Sequence, residues 1–248
     1  MSRSSLQKKQ PKRVATRVVQ RKPATAKSPA VPAILIERLG FRYGTKPVLE
    51  IKELKIMPGA HTLIYGESGC GKSTLMNLLS GILTGHTGHL EVLGTDYAGM
   101  KPTRHDRFRA ENLAVIFQQF NLIPYLTVRE NVLLGVKLAG KEADVAQIDS
   151  IFDHLQISPL AGQRAVNLSH GQQQRAAAAR ALAQRSAIIL ADEPTSALDD
   201  LNARLFLDLL FREAALHNTT IVVVSHDLRY KKRFDQVIDL AKLNGRAE

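Results

Sequence analysis

A glycine-rich segment has the residue types and spacing of a phosphate-binding loop. It reads Gly66-Glu67-Ser68-Gly69-Cys70-Gly71-Lys72-Ser73. This fits the pattern G-x-x-x-x-G-K-[ST], whose glycines let successive backbone N–H groups turn toward phosphate oxygens. The lysine would reach the β- and γ-phosphates, and the serine hydroxyl would bind Mg²⁺. The segment and the adjoining Thr74 are therefore predicted to bind a nucleoside triphosphate.

Two acidic residues follow an apolar run much later in the chain. Asp192 and Glu193 come directly after Ile188-Ile189-Leu190-Ala191. Ligands of parallel sheets gather at the carboxyl ends of strands, so this pair is expected to face the phosphate-binding loop. Asp192 is then placed to hold Mg²⁺, and Glu193 to polarise the attacking water. The alternative is an exposed turn, where acidic residues are common.

Both segments need a sheet to bring them together. Short apolar runs at 61–65, 113–117, 188–190, 221–224 and 237–240 read as strands, and helical periodicity marks 72–79, 128–138, 145–155, 172–182 and 202–215. This alternation predicts an α/β fold with a parallel sheet, as in P-loop NTPase cores. Runs at 34–36 and 48–51 predict an N-terminal antiparallel β subdomain. The stretch 127–183 lacks a strand signal and is predicted to be an inserted helical subdomain.

The positive charge is concentrated in the first residues. The chain has 248 residues and a net charge of +11. Nine Lys and Arg residues and no acidic residue precede Glu37, so the rest of the chain has 25 basic and 23 acidic residues. Specific nucleic-acid binding is therefore not expected. Residues 1–32 are predicted to be a disordered basic tail, and residues 33–248 one nucleotide-binding domain. A role of the tail on anionic lipid and a role as an organellar transit peptide both remain open.

Neither a disulfide framework nor a membrane span is predicted from the sequence. The single cysteine, Cys70, occupies a variable position of the loop and is not expected to be a nucleophile. No apolar run approaches the roughly 18 residues of a membrane span. If the protein serves a membrane process, the pore is expected in another chain.

Further segments resemble motifs of the ATP-binding-cassette (ABC) ATPases, in the order of that family. The motifs that they resemble are the Q-loop (Val115-Ile116-Phe117-Gln118) and the signature usually written LSGGQ (Leu168-Ser169-His170-Gly171-Gln172-Gln173-Gln174-Arg175). Two later segments resemble the D-loop (Ser196-Ala197-Leu198-Asp199) and the switch-histidine loop (Ser225-His226-Asp227). Tyr43 resembles the aromatic residue that stacks on adenine. The resemblance covers about residues 34–240.

The resemblance implies an ATPase that works as a head-to-tail dimer with ATP and Mg²⁺. Ser169 and Gly171, with Gln172, would contact the γ-phosphate of the partner's ATP at a helix N-terminus. Gln118 would complete the metal or water environment. His226 would bond the γ-phosphate and act with Glu193 on the attacking water. Asp199 would communicate across the dimer interface. Taken alone, Gln118 could equally be a polar residue at a strand end, and His226 a turn residue.

One position departs from the family pattern. His170 replaces the first glycine of the signature. A protonated histidine near a triphosphate adds favourable charge, although its side chain is bulkier than glycine. Activity is expected to survive and to become mildly pH-dependent.

The segment 117–132 resembles the branch that serves lipoprotein release and macrolide export. In that branch the cassette drives a separate membrane permease, so a peripheral place on the inner face of the cell membrane is expected. A cell-division cassette, which signals through a membrane partner without moving a substrate, is the alternative.

Overall fold

The N-terminal sheet consists of two long strands and two short ones. In this computed structural model, which describes residues 31–196 and 198–245, β1 (Ile34–Tyr43) pairs antiparallel with β2 (Lys46–Ile56) and with β4 (Thr87–Val92). β5 (Thr95–Asp96) follows, giving the order β2-β1-β4-β5. The predicted antiparallel subdomain is confirmed. β4 was not predicted, because it starts with Thr87-Gly88 and so lacks a strong strand pattern.

The second sheet is parallel and carries five strands. They are β3 (Thr62–Tyr65), β6 (Leu113–Ile116), β7 (Ile188–Asp192), β8 (Thr220–Ser225) and β9 (Gln236–Asp239), in the order β6-β7-β8-β3-β9. β9 ends at Asp239, one residue before the end predicted from the sequence. Asp239 instead caps helix α7 (Leu240–Leu243), because its Oδ1 accepts from the N–H groups of Ala241 and Lys242.

Among the described residues, six longer helices pack around the parallel sheet. They are α1 (Lys72–Leu79), α2 (Pro102–Asn112), α3 (Val128–Leu138), α4 (Val145–His154), α5 (His170–Ala183) and α6 (Asp200–His217). α3 and α5 begin with capping boxes, formed by Thr127 with Glu130 and by Ser169 with Gln172. α2 was not predicted, because only His105 is buried along it and no apolar period marks it.

The parallel sheet separates two hydrophobic cores. Along β8, Ile221 and Val223 pack into a core with α3 to α6, whereas Val222 and Val224 pack into a core with α1 and the antiparallel sheet. Both faces of the sheet are therefore covered, as expected for continuous apolar strands. The predicted helical insertion corresponds to α3, α4 and α5. The tail predicted for residues 1–32 lies outside the described residues, apart from Val31 and Pro32.

Candidate functional site

A cavity of about 660 Å³ lies at the carboxyl ends of β3, β7 and β8. It is lined by Val48, Glu67, Ser68, Gly69, Gly71, Lys72, Ser73, Thr74, Gln118, Asp192, Glu193, Ser196 and His226. The structure thus brings together the glycine-rich loop, the acidic pair and the switch histidine, although these segments are far apart in the sequence. The position also agrees with the place where open α/β sheets bind ligands.

The glycine-rich loop is shaped for close approach to an anion. Gly71 caps α1 with φ +105°, and a Cβ at this position would lie 2.7 Å from a methyl carbon of Leu49. Only glycine fits there. The Lys72 ammonium donates to the carbonyl oxygens of Gly66 and Glu67, each at 2.8 Å. The cation is therefore held over the loop, beside the positive N-terminal end of α1.

A buried asparagine supports the loop from outside the cavity. Asn244 Nδ2 donates to the carbonyl oxygens of Val48 (2.9 Å) and Cys70 (3.4 Å), and its Oδ1 accepts from the Glu50 N–H at 2.6 Å. These bonds tie the C-terminal end of α7 to β2 and to the loop. This residue was not predicted to have a role, because an Asn-Gly pair indicates only a turn.

The residues around Asp192 fit a magnesium ion. Ser73 Oγ donates to Asp192 Oδ2 at 3.3 Å, and Gln118 lines the same cavity. Burial raises the pKa of Asp192; the neighbouring Glu193 adds to this, whereas the Ser73 hydrogen bond and the Lys72 charge oppose it. A divalent cation would offset that unfavourable burial of charge.

The donor set also suits magnesium rather than a softer metal. Hydroxyl, amide and carboxylate oxygens are the ligands that Mg²⁺ takes beside phosphate oxygens. Within residues 31–196 and 198–245, no three His, Cys, Asp or Glu side chains are grouped to hold a metal by themselves.

Glu193 adopts an uncommon backbone conformation that directs its side chain to the switch-histidine loop. Its φ is +50°, and its N–H donates to the Val224 carbonyl at 2.8 Å. Ser225 Oγ donates to Glu193 Oε2 at 2.7 Å, and the His226 N–H donates to Oε1 at 2.9 Å. Backbone strain of this kind persists where surrounding contacts over-determine the geometry, and it concentrates at functional sites.

The imidazole of His226 completes this arrangement. Its Nδ1 lies 2.7 Å from Glu193 Oε1, and its side chain is 69% exposed, whereas that of Glu193 is only 10% exposed. A carboxylate held by three neighbouring groups and facing a cavity can accept a proton from water.

Several predicted site residues do not line this cavity. Tyr43 is 51% exposed, with its ring edge-on to Phe41 at 5.1 Å. Gly66 contributes a carbonyl oxygen to Lys72, and Cys70 contributes one to Asn244. Ser169, Gly171 and Gln172 lie at the N-terminus of α5, and Asp199 caps α6 through the Asn202 N–H at 2.8 Å. Their assigned contacts involve adenine or a second chain, so these roles stay predictions.

Two cavity residues were not predicted as ligands. Val48 was assigned only to a strand, and Ser196 only to the D-loop resemblance. An apolar strand residue carries no chemical signal in the sequence. Val48 is found at the cavity because β2 passes beside the loop, which is a long-range contact.

The sequence model of the ABC transporter family matches residues 49–196, which run from β2 through the loop and the α5 motif to the acidic strand. The chain belongs to the ABC transporter family. It is the ATPase of such a transporter, and it shares the ABC cassette fold. The match includes most of the residues that line the cavity.

Characterised relatives of this ABC ATPase have differing transport roles. The phosphonates import ATP-binding protein PhnC of Bradyrhizobium diazoefficiens is 36% identical over 220 residues, which cover 84% of this chain and 81% of the relative. The lipoprotein-releasing system ATP-binding protein LolD of Xanthomonas campestris is 32% identical over 213 residues, covering 84% and 89%.

Solved structures agree with the fold and the activity of the ABC ATPase. The dimeric structure of MJ0796, a bacterial ABC transporter cassette, has a TM-score of 0.75 and 29% identity, and covers 84% of this chain and 94% of its own. A dimeric post-hydrolysis state of MJ0796 bound to ADP and Pi has a TM-score of 0.74. In the described ranges of the present chain, no helix is long and apolar enough to cross a membrane.

The histidine that departs from the signature contacts the segment after the Q-loop glutamine. The His170 ring lies 4.8 Å from that of Phe120 in an edge-to-face arrangement. Phe120 has φ +45°, and its carbonyl accepts from Arg180 Nη2 at 2.8 Å. His170 therefore packs the start of α5 against the Q-loop of its own chain, a contact that glycine could not make.

Replacing His170 by glycine should flatten the pH–rate profile of ATP hydrolysis, because it removes a side chain that can place a positive charge beside the triphosphate. Loss of the aromatic contact, worth about 0.5–1.5 kcal/mol, should change the rate by less than about tenfold. The measurement is steady-state hydrolysis across this pH range. His154→Gln, an exposed histidine on α4, is the matched control. An unchanged profile in His170→Gly would contradict a role of this charge.

Proposed function

We propose that the chain hydrolyses ATP as half of a head-to-tail dimer. The observation that carries this proposal is the presence of two separate helix N-termini suited to anions. The N-terminus of α1 lies at the cavity. The N-terminus of α5 contributes nothing to the cavity lining, and its Ser169 is exposed. Each favours negative charge through its free N–H groups and dipole. One ATP between the loop of one chain and the α5 N-terminus of the other would use both.

Each cavity residue then has a chemical role. Lys72 would bind the β- and γ-phosphates, and Ser73, Gln118 and Asp192 would hold Mg²⁺, which supplies charge neutralisation on the phosphate oxygens. Glu193 would take the proton of the attacking water, and its hydrogen bonds keep the His226 imidazole beside the same position.

The remaining predicted residues act at the edges of the nucleotide. Tyr43 would stack on adenine, and Ser169, Gly171 and Gln172 would contact the γ-phosphate across the seam. Asp199 lies at the start of α6, where it would meet the second chain.

A substitution at Ser169 tests the dimer. Ser169→Asp keeps a good helix cap but places a carboxylate against the partner's triphosphate. In a Glu193→Gln background, ATP should produce dimers of the parent chain and should fail to do so after Ser169→Asp, as measured by light scattering. Ser169→Asn, which caps equally well without charge, is the control. A parent that stays monomeric with saturating ATP would contradict the dimer.

A groove beside the Q-loop is proposed to receive a separate membrane permease. It has a volume of about 430 Å³, and Phe117, Ile123, Leu134 and Leu138 provide its apolar wall. Leu138 is 66% exposed, and the nearby Tyr125 is also exposed. Exposed apolar surface next to a groove is typical of protein-binding sites. The chain would then work peripherally on the inner face of the membrane.

The permease proposal can be tested by recovery from membranes. Leu138→Glu should lose the co-purifying permease and keep ATP binding, because the groove lies outside the nucleotide cavity. Leu216→Glu, which alters an equally exposed leucine on α6 (69%), is the matched control. Equal permease recovery with Leu138→Glu and wild type would contradict docking at this groove.

The transport direction is proposed to be export or lipoprotein release. The segment 117–132 and the LolD relative support this direction. Import is the second candidate, favoured by the PhnC relatives at 36% identity. ATP-driven accumulation of substrate in inside-out vesicles that contain the co-purified permease would support export. Accumulation only in right-side-out vesicles would support import.

A further inference from the structure

A polar cluster outside the cavity joins the turn after His226 to the start of α6. The Tyr230 hydroxyl donates to Asp200 Oδ1 at 2.7 Å, and Arg229 Nη1 lies 3.4 Å from the same oxygen. Arg204, one helical turn further along α6, binds Asp200 Oδ2 at 2.7 Å. Both carboxylate oxygens of Asp200 therefore have partners.

The same cluster reaches the catalytic glutamate through an unbroken series of hydrogen bonds. Arg229 Nε donates to both carboxylate oxygens of Asp227, at 3.0 and 2.9 Å, and Nη2 adds a contact of 2.7 Å. The Asp227 N–H donates to Ser225 Oγ at 3.0 Å, and that hydroxyl donates to Glu193 Oε2 at 2.7 Å. The carboxylate of Glu193 is thus linked to that of Asp200.

The burial of Tyr230 distinguishes this cluster from an ordinary surface ion pair. Its side chain is buried, and the Arg229 guanidinium lies 5.3 Å from the centre of its ring. Exposed ion pairs are weak, because water and mobile side chains compete with them. The buried ring fixes the position of the Tyr230 hydroxyl, so its hydrogen bond to Asp200 does not depend on a mobile side chain.

We propose that Asp200, Arg229 and Tyr230 are positioning residues for ATP hydrolysis. They fix the turn at residues 225–227 around Glu193 and join it to α6, the helix that begins directly after Asp199. This inference rests on the roles proposed above for Glu193 and His226. Because no member of the cluster touches the phosphate-binding loop, the cluster acts on the catalytic step and leaves nucleotide binding unaffected.

Tyr230→Phe is the sharpest test, because it removes one hydroxyl and keeps the buried ring. The kcat of ATP hydrolysis by the full chain should fall about tenfold, within the loss of up to ~10²-fold that a misplaced group causes. The KM for ATP should stay within about twofold, since uniform binding is retained. If the Tyr230 hydroxyl only stabilised the fold, its removal would lower the thermal stability and would not lower kcat at an unchanged KM.

Asp200→Ala and Asp208→Ala form a matched pair. Both remove a carboxylate of α6 that binds an arginine of the segment 229–233, since Asp208 pairs with Arg233. Asp200→Ala should lower kcat as Tyr230→Phe does, whereas Asp208→Ala should leave it at the wild-type value. The double variant Asp200→Ala/Tyr230→Phe should be no slower than the slower single variant, because Asp200→Ala already removes the contact that Tyr230→Phe breaks.

Three results would overturn the inference. They are a wild-type kcat in Tyr230→Phe, an equal loss of kcat in Asp208→Ala, and losses that multiply in the double variant. Glu193→Gln, assayed alongside, separates this outcome from a failure of the proposed function. If that variant hydrolyses ATP normally, the role of Glu193 is wrong. If it is inactive while Tyr230→Phe is normal, only the positioning cluster is wrong.

Discussion

Glu193→Gln should bind ATP normally and lose hydrolysis by about 10²- to 10⁴-fold, the range attributed to one general base. Glutamine has nearly the same shape: its amide oxygen, in the place of Oε1, can still accept from the His226 N–H, and its amide nitrogen, in the place of Oε2, can donate to the Ser225 hydroxyl oxygen. The turn around position 193 should therefore be retained, while the proton acceptor is lost. Single-turnover hydrolysis and equilibrium ATP binding measure the two effects separately.

This variant should also accumulate as an ATP-bound dimer, since the step that ends the bound state is blocked. Glu130→Gln is a suitable control, because glutamine can replace glutamate in the capping box of α3 without loss of the cap. Hydrolysis by Glu193→Gln at the wild-type rate would exclude Glu193 as the base.

Lys72→Ala should weaken ATP binding about 10- to 100-fold, which corresponds to the roughly 1.5–3 kcal/mol of a hydrogen bond to a charged group. The hydrogen bonds that the lysine makes within the described residues go to two carbonyl oxygens of its own loop, and these can bind water in the open cavity after its removal. The fold should therefore survive. Calorimetric titration with ATP gives the affinity, and thermal unfolding checks that the variant is folded.

The matched control for this substitution is Lys101→Ala. Lys101 precedes α2 and its side chain makes no cap hydrogen bond, so its removal should alter neither affinity nor stability measurably. Tight ATP binding by Lys72→Ala would count against the assignment of residues 66–73 as the phosphate-binding loop.

Features determined by local sequence were predicted well. The helix 72–79 matched the structure, and the strand predicted at 188–190 begins where β7 begins and is two residues longer, because glycine conformations and continuous apolar runs are properties of neighbouring residues. The order of the family motifs predicted which segments meet at the cavity. Their hydrogen bonds were not predictable, because the distances between Glu193, Ser225 and His226 depend on how β7 and β8 align.

Long-range contacts account for what was missed. Val48 and Asn244 are 196 positions apart in the sequence, and their hydrogen bond forms only after β2 and the end of α7 have packed together. The helix α2 was missed for a different reason. His105 is its one fully buried residue, and its sequence lacks the apolar stripe by which helices are usually found.

The bond from Asn244 to Cys70 has a consequence for the growing polypeptide on the ribosome. The two residues are separated by 174 positions, and both neighbours of strand β3, namely β8 and β9, also follow it late in the chain. At about 5–20 residues per second, the loop would wait roughly ten to thirty seconds after its own translation for these partners. During that interval β3 has two open edges, which invite pairing with other nascent chains. Slow elongation or crowded polysomes should therefore favour aggregation over maturation of this ATPase.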